Sequence, residues 1–409
     1  MWAAEVTIPA PSDDGTQQAL YKAVDDMKEG GETYTKPESA SMKAEWTGFR
    51  PNAGNEEPAP AISNEEKYKN LMDEPSRTSK TTILYLHGGA YYLCGFGTHR
   101  VAVSKLAKAC NGRALLIEYR LAPQTAFPGQ LLDALNAYLY LLYPPPGSLH
   151  EPVPAKDIVF AGDSAGGNLA FALLQLLLQL HRTASGTPTI PFNGVDVPIP
   201  LPAAVSANSA WLDITRSQPS IVHNAKYDYL PPATHDDAVS RFAPDAIWPP
   251  TPPRGDVFAD LSMLCHPLCS PLAAKDWSGS PPLWIETGEE LLTDEDAVVA
   301  ARAASQGVTV VWEQYEAMPH CFAMLLPKLP NSRRCVSSWG AFCRSSVEGD
   351  LLETKGTWIA AKTGEEKVVD VEKVTEHRWE DAVEAMKEAQ RRRVAGWEKE
   401  GKALPKPSL

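Results

Sequence analysis

The sequence predicts a doubly wound α/β domain, a mostly parallel twisted sheet with helices on both faces, and three observations carry that prediction. From residue 82 onward, apolar runs of four to eight residues alternate with helical patterns of ten or more. Those runs lack strict polar–apolar alternation, as strands buried on both faces of a parallel sheet do. One run leads straight into Gly162-Asp163-Ser164-Ala165-Gly166, a small-residue junction between a strand and an apolar helix.

Taken in order, the first 80 residues are polar, with helical spacing at 19–27, a strand-like stretch at 42–49 and an exposed Pro/Asn/Glu-rich loop at 51–64. Residues 82–86 are β-branched and apolar, 98–110 have helical periodicity, 114–119 form another apolar run, and 130–143 are helical again. A short strand at 158–161 precedes a long apolar helix at 165–181. Further strands are expected at 203–207, 283–287 and 308–315, with helices at 294–305 and 337–347. Two proline-rich stretches, 187–202 and 243–255, bracket 210–242, which reads as an insertion crossing above the sheet, a helical cap of about 203–260. The organisation expected is an N-terminal segment (1–80), a catalytic domain (81–350) and a charged C-terminal tail (351–409). In that tail Trp379, Val383, Met386, Val394 and Trp397, with Gln390 in register, share one face of a helix. Docking on its own domain is the simpler role; contact with a membrane surface or a partner is the other, helped by the basic run Arg391 to Arg393.

Composition removes several classes of function. With 44% hydrophobic and 22% charged residues the chain resembles an ordinary globular protein, and a net charge of −13 argues against nucleic acid as partner. The longest apolar run, within 169–180, is interrupted by Gln175 and Gln179 and is too short to span a bilayer. The N-terminus lacks the basic start and apolar stretch of a signal peptide, and seven scattered cysteines suggest a reducing compartment, so a cytoplasmic protein is expected. Cys265-His266-Pro267-Leu268-Cys269 has half of a metal site without a second pair at zinc spacing, so no metal is expected.

The residues that carry chemistry cluster at strand ends. Gly162-Asp163-Ser164-Ala165-Gly166 matches the nucleophile elbow, a sharp turn that lifts a serine hydroxyl above the sheet at a helix N-terminus. His87-Gly88-Gly89-Ala90 follows the 82–86 strand, and the N–H groups of Gly88 and Gly89 are expected to converge with that of Ala165 on an oxyanion. His87 itself is expected to fix the loop. Among the histidines downstream of Ser164, His320 alone sits just after the last core strand, which makes it the candidate base. An orienting carboxylate belongs after the 283–287 strand, where Glu290 and Asp294 compete. Thr293 reads as a helix N-cap with Asp294, Glu295 and Asp296 in the first turn, which gives Asp294 a structural role and favours Glu290.

These motifs resemble the hormone-sensitive-lipase-like branch of the α/β-hydrolases, the HGG carboxylesterases, and especially its fungal members. The resemblance spans roughly residues 40–345. It rests on Tyr85-Leu86-His87-Gly88-Gly89-Ala90-Tyr91, on Tyr119-Arg120-Leu121-Ala122-Pro123 with Phe127-Pro128 and Asp133, on Gly162 to Asn168, and on Met318-Pro319-His320. It implies an ester hydrolase whose cap combines the N-terminal segment with the insertion before the acid, and it makes Arg120 and Asp133 structural. Three positions depart from the family pattern: Ala90 replaces the third glycine, Glu290-Leu291-Leu292 replaces Asp-Pro-Leu, and Gln124 replaces a glutamate.

The expected function is hydrolysis of short to medium acyl or acetyl esters of small apolar molecules through an acyl-enzyme, with no metal or organic cofactor. Tyr91, Tyr92, Trp211, Leu291 and Phe322 are the candidate lining of an apolar pocket. A ligand-binding protein without turnover on the same fold, or hydrolysis of lactones or amides, are the alternatives.

Overall fold

The apolar runs fall where parallel strands need them. In the computed structural model, which describes residues 1–51, 53, 60–231, 245–248, 250 and 254–399, β1 (Trp2–Ile8), β2 (Met42–Gly48), β3 (Thr82–Leu86), β4 (Arg113–Ile117) and β5 (Ile158–Asp163) are followed by a β6–β7 hairpin (Thr189–Phe192 and Val195–Pro198). Then come β8 (Ala204–Asn208), β9 (Leu283–Gly288), β10 (Val310–Tyr315), β11 (Lys355–Ile359) and β12 (Glu366–Val369). Ten of these form one sheet in the order β1-β2-β4-β3-β5-β8-β9-β10-β11-β12. The strands from β4 to β11 in that order run parallel, and only the edges are antiparallel. Every residue of β3, β5, β8 and β9 is buried, so the missing alternation reflects helices on both faces.

Helices α1 (Gly15–Asp26), α2 (Asn64–Met72), α3 (Phe96–Ala109), α4 (Gly129–Leu142) and α5 (Ala165–Thr183) cover the sheet, with α7 (Thr293–Ser305) and α9 (Pro330–Glu348) further along. The insertion between β8 and β9 contributes the short α6 (Ser220–His223), and α8 (Phe322–Leu325) follows the loop after β10. All fourteen residues of α4 are buried, which explains an apolar composition that no single-faced surface helix would carry.

Several elements depart from expectation. The first helix begins four residues before 19, and the closing helix is longer at both ends than 337–347. α2 follows the expected 51–64 loop with a reciprocal capping box between Ser63 and Glu66; residues 52 and 54–59 of that loop lie outside the described residues, as do 232–244 of the insertion and His235. The proline-rich 187–202 stretch holds the β6–β7 hairpin. The tail was expected to supply only a helix, yet it also adds β11 and β12 to the main sheet.

The tail helix, α10 (Trp379–Lys399), docks on the domain it follows. Ala382, Met386, Ala389 and Trp397 are buried, and Trp379 Nε1 donates to Leu272 O at 2.8 Å. Gln390 Nε2 donates to the carbonyls of Leu261 and Ser262, and Arg393 Nη2 to Thr215 O. The apolar face is therefore occupied by the protein itself. Among the described residues no helix is long and apolar enough to cross a membrane. Met386→Ala should lower unfolding free energy by about 2–4 kcal/mol in a denaturant titration, because Met386 is fully buried in this contact; a change under about 0.5 kcal/mol would mean that the helix does not dock.

Candidate active site

The site is built on the carboxyl ends of five adjacent strands, β3, β5, β8, β9 and β10. β5 ends at Asp163 and α5 begins at Ala165, so Ser164 alone makes the turn, with φ 53° and ψ −121°. A non-glycine residue with positive φ is strained and is held only by its surroundings. Here Ser164 N donates to Asn208 O on β8, and Ser164 O accepts from Trp211 N and Asn168 N. Gly166 permits the turn, since a Cβ there would stand 1.9 Å from Leu86 O.

Asp163, the middle of the motif, is buried behind the serine. Its carboxylate accepts from Tyr85 OH (2.8 Å), Gly88 N (3.2 Å) and His99 Nε2 (3.2 Å). Burial alone would push this carboxyl up, yet it lies below its ordinary range because His99 and Tyr85 favour the anion. His99 in turn is raised: burial opposes its charge and the Asp163 carboxylate more than reverses that. The Gly88 N–H is therefore committed to Asp163, which corrects its expected role as an oxyanion donor. Gly89, half-buried with φ 111°, and Ala90, with φ 50°, form the turn that follows. His87 stacks on Tyr119 with ring centroids 4.3 Å apart, its Nδ1 pairs with Gly88 O, and burial pushes it down to about 4. It holds the loop as expected.

The loops after β9 and β10 bring the other two residues together. His320 Nδ1 lies 2.5 Å from Glu290 Oε2, and both side chains are buried. Thr287 Oγ1 donates to Glu290 Oε1, and Glu290 N donates to Thr293 Oγ1. Gly288 lets the two loops touch, since a Cβ there would meet Met318 O at 2.1 Å. Burial alone would lower His320, but the Glu290 carboxylate outweighs it and holds the imidazole above its ordinary 6.5. Asp294 takes no part in this pair. Its Oδ2 accepts from Ser220 N at 2.7 Å and lies 3.5 Å from His377. The helix starts at Thr293 rather than after it, so Thr293 acts from inside the first turn.

Of the other expected side chains, Tyr91 is buried, stacks on Phe258 and donates to Asn168 Oδ1. Leu291 and Phe322 are fully buried in apolar clusters, the first beside Ile221 and Leu292, the second against Tyr315. Tyr92 and Trp211 stay half-exposed. Arg120 and Asp133 form a forked pair at 2.7–3.1 Å that fixes the Tyr-Arg-Leu-Ala-Pro loop. Two groups went unnoticed in the sequence. Asp228 accepts from Leu291 N and His320 N, on the loops after β9 and β10, and the Ser209 hydroxyl accepts from Cys321 N.

Comparison with known proteins follows the same outline. A family described as alpha/beta hydrolase fold matches residues 83–324. The chain is 34% identical to an acetyl-hydrolase of Streptomyces hygroscopicus, over 67% of this chain and 78% of that protein. It is 29% identical to the esterase LipU of Mycobacterium tuberculosis, over 67% of this chain and 80% of that one. Among solved structures it is similar to an esterase from the bacterial hormone-sensitive lipase family, at 28% identity and a TM-score of 0.52, covering 75% of this chain and 82% of that one. These relatives are bacterial and lend no support to the expected fungal likeness.

The Glu290–His320 pairing has a direct titration signature. His320 should titrate above 6.5 in an NMR pH series, and Glu290→Gln should bring it down, because burial then acts without the opposing carboxylate. An unchanged midpoint in Glu290→Gln would dissolve the pair.

Proposed function

Because this chain belongs to the alpha/beta-hydrolase fold family, with esterases of the hormone-sensitive-lipase type among its structural neighbours, we propose that Ser164, His320 and Glu290 are the nucleophile, base and acid of its reaction. The protein is a carboxylic ester hydrolase of the serine type. The observation that carries the assignment is the 2.5 Å contact of Glu290 with His320 Nδ1, on loops beside a serine held in an elbow.

With Nδ1 bound to the carboxylate, the imidazole presents Nε2 for the Ser164 proton. The serine oxygen attacks the ester carbonyl, and the proton passes through His320 to the leaving alcohol. Water, activated by the same histidine, then cleaves the acyl-enzyme and returns the serine. Glu290 holds the imidazole at Nδ1 and steadies the imidazolium. The developing oxyanion is held by the N–H of Ala165, at the start of α5, and by those of Gly89 and Ala90, since Gly88 is engaged by Asp163. The insertion between β8 and β9, with part of the N-terminal segment, serves as the cap.

The substrate class is short to medium acyl or acetyl esters of small apolar alcohols. Half-exposed Trp211, packed with Ile221, Leu291 and Leu292, and Tyr92, packed on Ala122, Trp248 and Val257, support an apolar binding face. Seven unpaired thiols support a reducing, cytoplasmic location.

Hydrolysis of p-nitrophenyl esters from acetate to decanoate tests the proposal. Wild type should turn over, with a chain-length profile that sizes the acyl pocket. Ser164→Ala should lose on the order of a millionfold in kcat and Glu290→Gln about ten-thousandfold, while Asp294→Asn stays near wild type. Activity that survives Ser164→Ala would end the proposal.

A further inference from the structure

We propose that Asp228, on the insertion between β8 and β9, is a positioning residue that sets the distance between the acid and the base of the triad. The inference rests on the assignment of Glu290 and His320 made above.

The observation is one carboxylate bound to two separate catalytic loops. Asp228 Oδ2 accepts from Leu291 N at 3.0 Å, the residue that follows Glu290. Its Oδ1 accepts from the backbone N–H of His320 itself, at 3.4 Å. Leu291 and His320 come from loops after different strands, and Asp228 lies some sixty residues before the first of them. Oδ1 also accepts from Tyr229 N and Leu230 N. Those two bonds would suffice for a local turn, and they leave Oδ2 free to act elsewhere. A carboxylate has room for several donors, so one side chain can take all four.

The neighbouring contacts make Asp228 the end of a seam. Ser220 N donates to Asp294 Oδ2, Ser220 Oγ to Leu291 O, and Asn224 Nδ2 to Glu290 O. The insertion is thus bonded along the acid loop from residue 290 to 294, and Asp228 carries the seam on to the backbone of His320. Triad geometry tolerates about half an ångström of error before the proton transfer suffers. A bond from the same carboxylate to both backbones limits exactly the separation that matters, and it couples the insertion above the sheet to the chemistry at its edge. Charge adds to geometry: Glu290, Asp228 and Asp163 are the acids that face His320, from three different segments, and all three favour its protonated form.

The test compares the full-length wild type with Asp228→Asn, Asp228→Glu and Glu290→Gln, using p-nitrophenyl butyrate and thermal unfolding. Asn retains the shape with a single acceptor oxygen and no charge, so one loop loses its partner. Asp228→Asn should lower kcat about tenfold or more with KM within twofold, and move the acid limb of kcat/KM to lower pH. Asp228→Glu should restore the position of that limb while kcat stays below wild type, because charge returns and placement does not. Should Asp228→Asn fail to fold, Asp228→Glu alone decides through the same split of kcat against KM. An unchanged kcat in Asp228→Asn, or a loss confined to KM or to melting temperature, overturns the proposal and leaves the triad intact. Full activity in Glu290→Gln would locate the error in the triad itself, and the proposal falls with it.

Discussion

The buried carboxylate of Asp163 is the constraint on which the site depends. It sits behind Ser164 where water cannot reach it, so its charge must be met by protein donors. It meets three: a hydroxyl from β3, an imidazole from α3 and the Gly88 N–H of the loop after β3. Those contacts place the elbow after β5 against the loop after the adjacent strand, which must be close for an oxyanion to be shared between them. The same carboxylate leaves no room beside it. A Cβ on residue 88 would lie 2.2 Å from Asp163 Oδ2, so the small residue at that position follows from the buried charge as much as from any need for an exposed backbone.

What was legible in the sequence is what burial writes into local pattern. Strands β3, β5, β8 and β9 are buried on both faces and therefore read as continuous apolar runs. Ser164 and His320 were legible because a fixed turn chemistry and a position after a strand mark them. Glu290 could be favoured over Asp294 because a helix first turn accounts for an acid at 294, and the structure gives Asp294 a partner on the insertion instead. The edge strands were not legible. β12 has no buried residue and β1 alternates only weakly, because an edge strand is covered on one side at most. The Gly88 error has a different cause: sequence gives the type of residue in a loop but not the direction of its N–H. Asp228 left no signal at all, since an aspartate in a turn is ordinary and its reach across the chain is a tertiary fact.

The elements beyond the family match do not hang free of it. α10 packs on 261–272 and reaches Thr215 and Asp256 through Arg393. Gln218 Nε2 donates to Ala382 O on that helix and lies near Asp213, whose carboxylate organises the following turn. The tail thus braces the insertion from outside while the acid loop binds it from within. A segment held on two sides loses less conformational freedom when a substrate arrives, because that freedom has already been removed on folding. The apolar stripe of the tail helix is explained by this bracing.

The glutamate that meets His320 lies among other buried carboxyls. Glu286 and Asp296 are buried close enough to Glu290 for its charge to act on both. Burial first, and then repulsion from the neighbouring acids, pushes both Glu286 and Asp296 well above the ordinary carboxylate range. Glu286 accepts from Asn208 Nδ2. Glu290 alone has the histidine: its two oxygens take Thr287 Oγ1 and His320 Nδ1. Of the three, Glu290 is the carboxylate placed against the imidazole of His320. The field at His320 is set by Glu290 with Asp228 and Asp163 behind it.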